Sequence, residues 1–233
     1  MSPVAAFVDA LQQFPTLPAV FNPWLDVDPV HDLGPISPQT RRSQLQRYLE
    51  ERLGKARFVL IAEALGYKGG HFSGIAMTSE RILLGHMAKK GIHAEDVIAG
   101  GGARSSRPGR PVPVDGFTEP TATVTWGAIK GLGIDPREVV LWNAFAFHPM
   151  RGAGQWLTNR KPTAEELAQG QAILLEFLTL FPGAKVVAVG GVSSELLRRL
   201  GQPAGAEVRH PANGGVPAFL AGMQRELTGL ADD

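Results

Sequence analysis

Three side chains with hydrogen-bonding or acid–base chemistry stand at or just after the ends of predicted β-strands: Glu63, Asn143 and His210. Two of the strands lie at residues 59–62 and 207–209, and the other begins at Val139 in the apolar run 139–147, in which Asn143 stands where the strand should be ending. The segments 59–62 and 139–147 are nearly continuous apolar runs, as is typical of parallel strands covered on both faces. Ligands bind beyond the carboxyl ends of such strands, so the sequence predicts a binding site at this edge of the sheet.

A glycine-rich loop begins directly after Glu63. It contains four glycines: Gly66, Gly69, Gly70 and Gly74. Glycines in this position suggest that the backbone approaches a substrate closely. The alternative interpretation is a tight strand-to-helix turn with a solvated glutamate, and this stretch alone favours neither.

The elements that position these residues alternate along the chain. Strands are predicted at 59–62, 139–147, 185–189 and 207–209, and helices at 37–53, 79–89, 123–130, 163–181, 193–200 and 217–227. This alternation predicts an α/β fold, a three-layer α/β/α sandwich with a central, mostly parallel four-stranded sheet. We expect a single domain over residues 1–233, in which residues 1–36 form an irregular N-terminal extension with a short helix at 2–13.

Local signals mark two of the helix starts. Ser37-Pro38 is typical of an N-cap followed by proline at the first helical position, and Thr163 with Glu166 forms a capping box. The polar face of the helix at 37–53, interpreted as solvated, carries three arginines: Arg41, Arg42 and Arg47.

Composition restricts the classes of function. The chain of 233 residues is 44% hydrophobic, enough to bury a core. It has no cysteine, which excludes thiolate metal sites, cysteine-ligated iron–sulfur clusters and a cysteine nucleophile. The sequence contains neither a secretion signal nor an apolar run near the ~20 residues of a membrane span. We expect a cytoplasmic monomer without metal or other cofactor.

The distribution of charge points to an anionic partner, although the net charge is only +1. Four windows contain arginines or lysines and no acidic residue: 64–79, 97–114, 139–164 and 208–225. Three of them begin within or just after a predicted strand, so the fold should gather them on a face that attracts phosphates. The loop at 100–113 lies in the second window, and its composition predicts a linker or a mobile binding loop.

The strand ends, taken in order, resemble the motifs of the uracil-DNA glycosylase superfamily. The first family motif, Gly-(Gln/Glu)-(Asp/Ala)-Pro-(Tyr/Gly), is matched in part by Ala62-Glu63-Ala64-Leu65-Gly66. The last motif begins His-Pro-Ser and is matched by His210-Pro211-Ala212. The resemblance extends over residues 58–219.

This resemblance implies an enzyme that hydrolyses the N-glycosidic bond of uracil flipped out of DNA and leaves an abasic site. It assigns catalysis to Glu63 and His210, and binding of the base to Ala64, Gly66, Phe72 and Asn143. Phe72 would stack on the flipped base, and the Asn143 amide would pair with uracil N3–H and O4. The implied DNA contacts are Ser79, Arg104, Arg107, Arg110, Arg151 and Asn213.

The sequence departs from the family pattern at informative positions. Ala64 replaces the aspartate that activates water, as in the iron–sulfur branch, but the cluster cysteines are absent, which indicates a cluster-free branch. Gly66 stands where uracil-specific relatives carry a tyrosine against uracil C5. We therefore expect a roomier pocket that also accepts C5-substituted uracil or other deaminated bases. Asn213-Gly214-Gly215 replaces the bulky wedge of relatives.

Two other functions compete with this one. A non-hydrolytic sensor of uracil or damaged DNA would use the same pocket and the same basic residues. A nucleotide-binding α/β enzyme or module would use the glycine loop to hold phosphate. Against the latter, neither G-x-x-x-x-G-K-[ST] nor G-x-G-x-x-G follows the first strand.

Overall fold

The structure, a computed structural model, describes residues 2–205 and 207–229. Its strands are β1 (Val20–Phe21), β2 (Phe58–Ala64), β3 (Val139–Phe145), β4 (His148–Pro149) and β5 (Lys185–Ala188). Its α-helices are α1 (Pro3–Gln13), α2 (Ser37–Glu50), α3 (Gly70–Ser73), α4 (Glu80–Leu83), α5 (Ala94–Val97), α6 (Pro120–Gly131), α7 (Ala164–Thr179), α8 (Gly191–Arg199) and α9 (Val216–Thr228). Within the described ranges, no helix has both the length and the apolar character needed to cross a membrane.

The central sheet is parallel and has the order β3-β2-β5. All seven residues of β3 are buried, and successive residues of a strand point to opposite faces, so both faces of the sheet are covered. Helix α7 packs on β3, and α8 packs on all three strands. The predicted α/β fold class is confirmed.

The predicted fourth strand is reduced to one residue. Val208 forms a parallel bridge with Val189, and its N–H donates to the Ala188 carbonyl oxygen at 2.9 Å. Val208 alone is buried there, since Glu207 and Arg209 on either side are exposed. A single apolar side chain gives too little burial to hold a longer strand, so the prediction of four full strands is wrong.

The N-terminal residues belong to the core. Helix α1 confirms the predicted short helix, and its buried side chains follow a helical period: Val4, Phe7, Val8 and Leu11. The ring centroid of Trp24 lies 5.8 Å from that of Trp142 in β3, and β1 pairs antiparallel with β4. Residues 14–36 are irregular apart from β1, as predicted, but they pack into the interior and do not form an extension. Met1 lies outside the described residues.

The predicted helices are present, but the one at 79–89 is much shorter than predicted. The capping box at Thr163 and Glu166 is confirmed at the start of α7, whereas Ile36 rather than Ser37 is the N-cap of α2. The helix predicted at 79–89 ends at Leu83. Gly85 has a φ of 80°, a left-handed conformation that glycine adopts without cost and that ends a helix.

The loop predicted as a linker is anchored in the interior. The fully buried Glu80 accepts hydrogen bonds from the Ser105 N–H at 2.7 Å and the Ser106 N–H at 3.0 Å. The Ser105 hydroxyl donates to the Phe72 carbonyl oxygen at 2.6 Å. A loop whose backbone is held in this way is not a linker, so that alternative is wrong, while a role of this loop in binding stays a prediction.

Two side chains, one from α2 and one from the turn after it, cover the free edge of β3. The Leu141 N–H, which faces away from β2, donates to the Tyr48 hydroxyl at 2.8 Å. The Arg52 Nε donates to the Val139 carbonyl oxygen at 2.8 Å. Both side chains are fully buried, so these two backbone groups of the edge strand are satisfied without a further strand.

We predict that Tyr48→Phe lowers the free energy of unfolding by about 1–3 kcal/mol, because it leaves the buried Leu141 N–H without an acceptor. Urea unfolding measures the change. The matched control is Tyr67→Phe at the only other tyrosine, and we expect a change within about 0.5 kcal/mol there. Equal effects of the two substitutions would contradict this role of Tyr48.

Candidate functional site

The carboxyl ends of β2 and β3 and the segment after Val208 open into one cavity of about 300 Å³. Glu63, Asn143 and His210 all line it, together with Ala64 and Gly66. The structure therefore brings together the three strand-end side chains and two further residues of the implied base-binding set. Pockets for small ligands begin at about this volume.

Glu63 is half-buried near the end of β2. Burial raises the pKa of its carboxyl above the ordinary value, and the positive charge of Lys161 partly offsets that effect. A raised pKa makes the ionised carboxylate a stronger base than a solvated glutamate. The site therefore contains a basic oxygen beside a cation.

The structure fixes the orientation and tautomer of His210. Burial first, and then the charge of Arg209, lower the pKa of its imidazole, which favours the neutral ring. The Ala212 N–H donates to His210 Nδ1 at 3.1 Å, so the proton of the neutral ring is on Nε2. The turn needs glycine at 215, because a β-carbon there would lie 2.2 Å from the His210 carbonyl oxygen.

Asn143 presents an unsatisfied acceptor. Its side chain is 2% exposed, and its buried Oδ1 has no hydrogen-bond partner in residues 2–205 and 207–229. An unpaired buried carbonyl costs about 1–3 kcal/mol, a cost that a ligand N–H would remove. The geometry favours a ligand with a hydrogen-bond donor at this point.

Sequence analysis missed several polar residues of the cavity, among them Glu119 and Asn159. Asn159 Oδ1 accepts from the Tyr67 N–H at 3.0 Å and from His148 Nε2 at 3.1 Å, so its Nδ2 is the donor that this side chain offers at the cavity. Burial lowers the pKa of His148 to about 4, so this ring is a neutral donor. The only sequence signal at Glu119 is the following Pro120, which predicts a helix start and no chemistry.

Two polar groups from distant parts of the chain bound the space above Gly66. A β-carbon at this position would be in van der Waals contact, at 3.4 Å, with both Asn159 Nδ2 and Glu119 Oε1. The acceptance of C5-substituted uracil stays a prediction, and these two groups are the ones that such a substituent would meet.

The structure does not bring Phe72 or Ser79 to the cavity. Phe72 is 1% exposed and packs in a separate cluster, with its ring centroid 5.6 Å from that of Phe117. Ser79 is fully buried, and its hydroxyl has no hydrogen-bond partner. In this structure Phe72 therefore has no face open to a base in the cavity, and Ser79 offers no surface to DNA.

The predicted DNA-binding arginines also lie outside the cavity. Arg104 Nη1 is 3.7 Å from Glu80 Oε2, and its guanidinium donates to the Val114 carbonyl oxygen. Arg107, Arg110 and Arg151 are exposed.

An adjoining cavity of about 400 Å³ supplies a cationic surface instead. It shares Glu63 and His210 with the first cavity, and Lys161, Arg209 and Asn213 also line it. Asn213 is exposed, and it is the one implied DNA contact that the structure places here. Two exposed cations beside the catalytic candidates suit an anionic ligand. Within residues 2–205 and 207–229, no group of histidine or acidic side chains is arranged to hold a metal ion.

No protein-family model matches the chain, and no curated protein matches it. Among the solved structures that match is the crystal structure of wild-type Pedobacter heparinus SMUG2. The two share 12% sequence identity with a TM-score of 0.59, over 99% of this chain and 100% of that one. At this identity the match shows a shared fold.

We predict that Gly69→Ala lowers the free energy of unfolding by about 1–3 kcal/mol through overpacking. The new β-carbon would lie 2.2 Å from Glu119 Oε2. The control is Gly127→Ala inside α6, where a β-carbon meets nothing within 4 Å and should stabilise the helix by about 0.5–1 kcal/mol. In a Glu119→Ala background the cost of Gly69→Ala should fall. An unchanged loss of unfolding free energy in that background would show that the new β-carbon does not clash with the Glu119 carboxyl.

Proposed function

We propose that this protein is a DNA glycosylase that hydrolyses the N-glycosidic bond of uracil flipped out of DNA. The observation that carries the proposal is the meeting of Glu63, Asn143 and His210 in one cavity at the carboxyl end of the sheet. The shared fold with SMUG2, a member of the uracil-DNA glycosylase superfamily, supports it.

Asn143 is the group that reads the base. Its free Oδ1 accepts the uracil N3–H, and the amide nitrogen of the same side chain donates to O4. Cytosine has an unprotonated N3 and an amino group at these positions. Its N3 would face the Asn143 Oδ1, so that two acceptors meet, and its amino group would face Nδ2, so that two donors meet. The same side chain thus selects uracil over cytosine.

His210 stabilises the leaving base. When the bond from the sugar C1′ to uracil N1 breaks, its electron pair moves onto the base and the charge spreads to the carbonyl oxygens. A neutral imidazole with its proton on Nε2 can donate to such an oxygen as the charge develops. A low pKa keeps the ring neutral at physiological pH.

Glu63 acts on the other side of the bond that breaks. The sugar becomes an oxocarbenium-like cation, which a nearby carboxylate stabilises. A water molecule then forms the new bond to C1′ and loses a proton to Glu63, and the departing base anion is protonated by solvent. Burial beside Lys161 keeps this carboxylate basic without leaving its charge uncompensated.

A panel of oligonucleotides with one uracil, 5-hydroxymethyluracil or hypoxanthine, each single- and double-stranded, tests the proposal directly. Release of uracil with formation of an alkali-labile site supports hydrolysis. Tight binding of uracil-containing DNA without release would instead identify a non-hydrolytic sensor of damaged DNA. Binding of free mononucleotides but not of DNA would identify a nucleotide-binding protein.

We predict that His210→Ala lowers the single-turnover rate of uracil release by roughly 10²–10³-fold, the usual effect of losing one donor to a developing anion. The folded state should persist, because within the described part of the chain the ring makes a single hydrogen bond, with the Ala212 N–H two residues away. His86→Ala, at an exposed histidine away from the cavity, is the control. A near-normal rate in His210→Ala would remove this residue from the mechanism.

We predict that the double variant Lys161→Ala/Arg209→Ala flattens the salt dependence of binding to single-stranded DNA. The slope of log K against log salt should fall by about 0.7 for each phosphate that the protein no longer neutralises. The prediction from the sequence that the loop at 100–113 binds DNA requires the same fall in Arg107→Ala/Arg110→Ala. An unchanged slope in either double variant would exclude that pair of side chains from phosphate binding.

A further inference from the structure

Glu119 stands at the N-cap of α6 but does not cap the helix. Its side chain accepts no hydrogen bond from the first turn, although an acid there is ordinarily stabilised by the free N–H groups. Instead the carboxyl lies against the glycine loop and lines the cavity. A carboxyl turned away from its local partners needs another explanation.

One oxygen of the carboxyl has no partner among the described residues. Oε2 is buried without a hydrogen bond, and Oε1 faces Gly66 on the same side as Asn159 Nδ2. The glycine loop leaves room for this carboxyl because residue 69 has no side chain, and a β-carbon there would lie 2.2 Å from Oε2. Among the described residues, Glu119 thus places a buried carboxyl oxygen without a hydrogen bond at the edge of the cavity that Glu63, Asn143 and His210 line.

Charged groups from several segments line the same or the neighbouring cavity: Glu63, Lys68, Arg160, Lys161 and His210. None forms an ion pair with Glu119 within the described part of the chain. Arg160 is already engaged with Glu166, at 2.6 Å and 2.7 Å. With no compensating partner, burial raises the pKa of Glu119 to about 7.

We propose that Glu119 in its acid form, together with Asn159 Nδ2, donates a hydrogen bond to a carbonyl oxygen or ring nitrogen of the bound base. The inference rests on the proposed function and adds a second recognition wall, which faces Gly66, to the wall formed by Asn143. An uncharged carboxylic acid offers an O–H to an acceptor, whereas a carboxylate would repel it.

The sign of the pH dependence follows from this role. Glu119 donates only while protonated, so activity should fall as the pH rises through about 7. Glu63 works as a carboxylate and His210 as a neutral ring, and neither loses its working form as the pH rises. Their titrations can produce only the acidic limb of the profile.

The test is the pH profile of kcat/KM for uracil release from a single-stranded oligonucleotide. In the wild type the value at pH 9 should be roughly 100-fold below its plateau, since each unit above the pKa removes about tenfold of the acid form. Glu119→Gln keeps an uncharged donor of the same shape and should lose this alkaline limb. Glu119→Ala should be slow at every pH, and Glu176→Gln, at an exposed glutamate, should match the wild type.

An alkaline limb that persists unchanged in Glu119→Gln would overturn the inference and leave the proposed function intact. A wild type that releases no base from any oligonucleotide would overturn the proposed function. The inference is then decided by calorimetric binding of free uracil. Weaker binding by Glu119→Ala but not by Glu119→Gln supports it, and equal binding by all three proteins overturns it.

Discussion

The pairing of β2 with both β3 and β5 is the constraint that fixes the candidate site. In the parallel register Ala62 lies opposite Asn143, so Glu63 and Asn143 end up at the same edge of the sheet. The bridge between Val189 and Val208 extends this edge by one residue and sets His210 two residues beyond it. Three groups from distant parts of the sequence therefore meet because parallel strands must end on one side.

The buried arginines of the scaffold are paired, whereas two buried oxygens at the cavity have no partner among the described residues. The guanidinium of Arg52 is fully buried and donates to five backbone carbonyl oxygens: Val139, Tyr48, Val97, Asp96 and Pro136. Arg41 is likewise buried and paired with Asp32 at 2.7 Å. Within the described ranges Asn143 Oδ1 and Glu119 Oε2 are unpaired, as are a few atoms away from the cavity such as Ser79 Oγ. The two at the cavity differ from the others in their position, because their residues line a space that a ligand can enter.

Local patterns in the sequence predicted local structure well. Runs such as 139–147 predicted buried strands, the capping box at Thr163 and Glu166 predicted the start of α7, and the strand ends predicted which side chains would meet. The same patterns could not show that Arg41 is buried while its neighbour Arg42 is only half-buried. That difference depends on Asp32, which reaches Arg41 through a loop without periodicity. The role predicted for Phe72 failed for the same reason, since its neighbour Phe117 is far away in the sequence.

The glycine loop shows most clearly where reasoning from the sequence stops. The sequence is consistent either with close approach of the backbone to a substrate or with a tight turn, whereas the structure uses two of the glycines, Gly69 and Gly70, as room for side chains of the protein itself. A β-carbon at Gly70 would lie 2.2 Å from Leu65 Cδ2, and one at Gly69 equally close to Glu119. The absence of side chains in one segment thus lets a residue from a distant part of the sequence enter the wall of the cavity. Glu119, for which Gly69 leaves room, is therefore part of the wall of the cavity. A motif at residues 62–66 cannot predict this contact, because Glu119 is more than fifty residues away in the sequence.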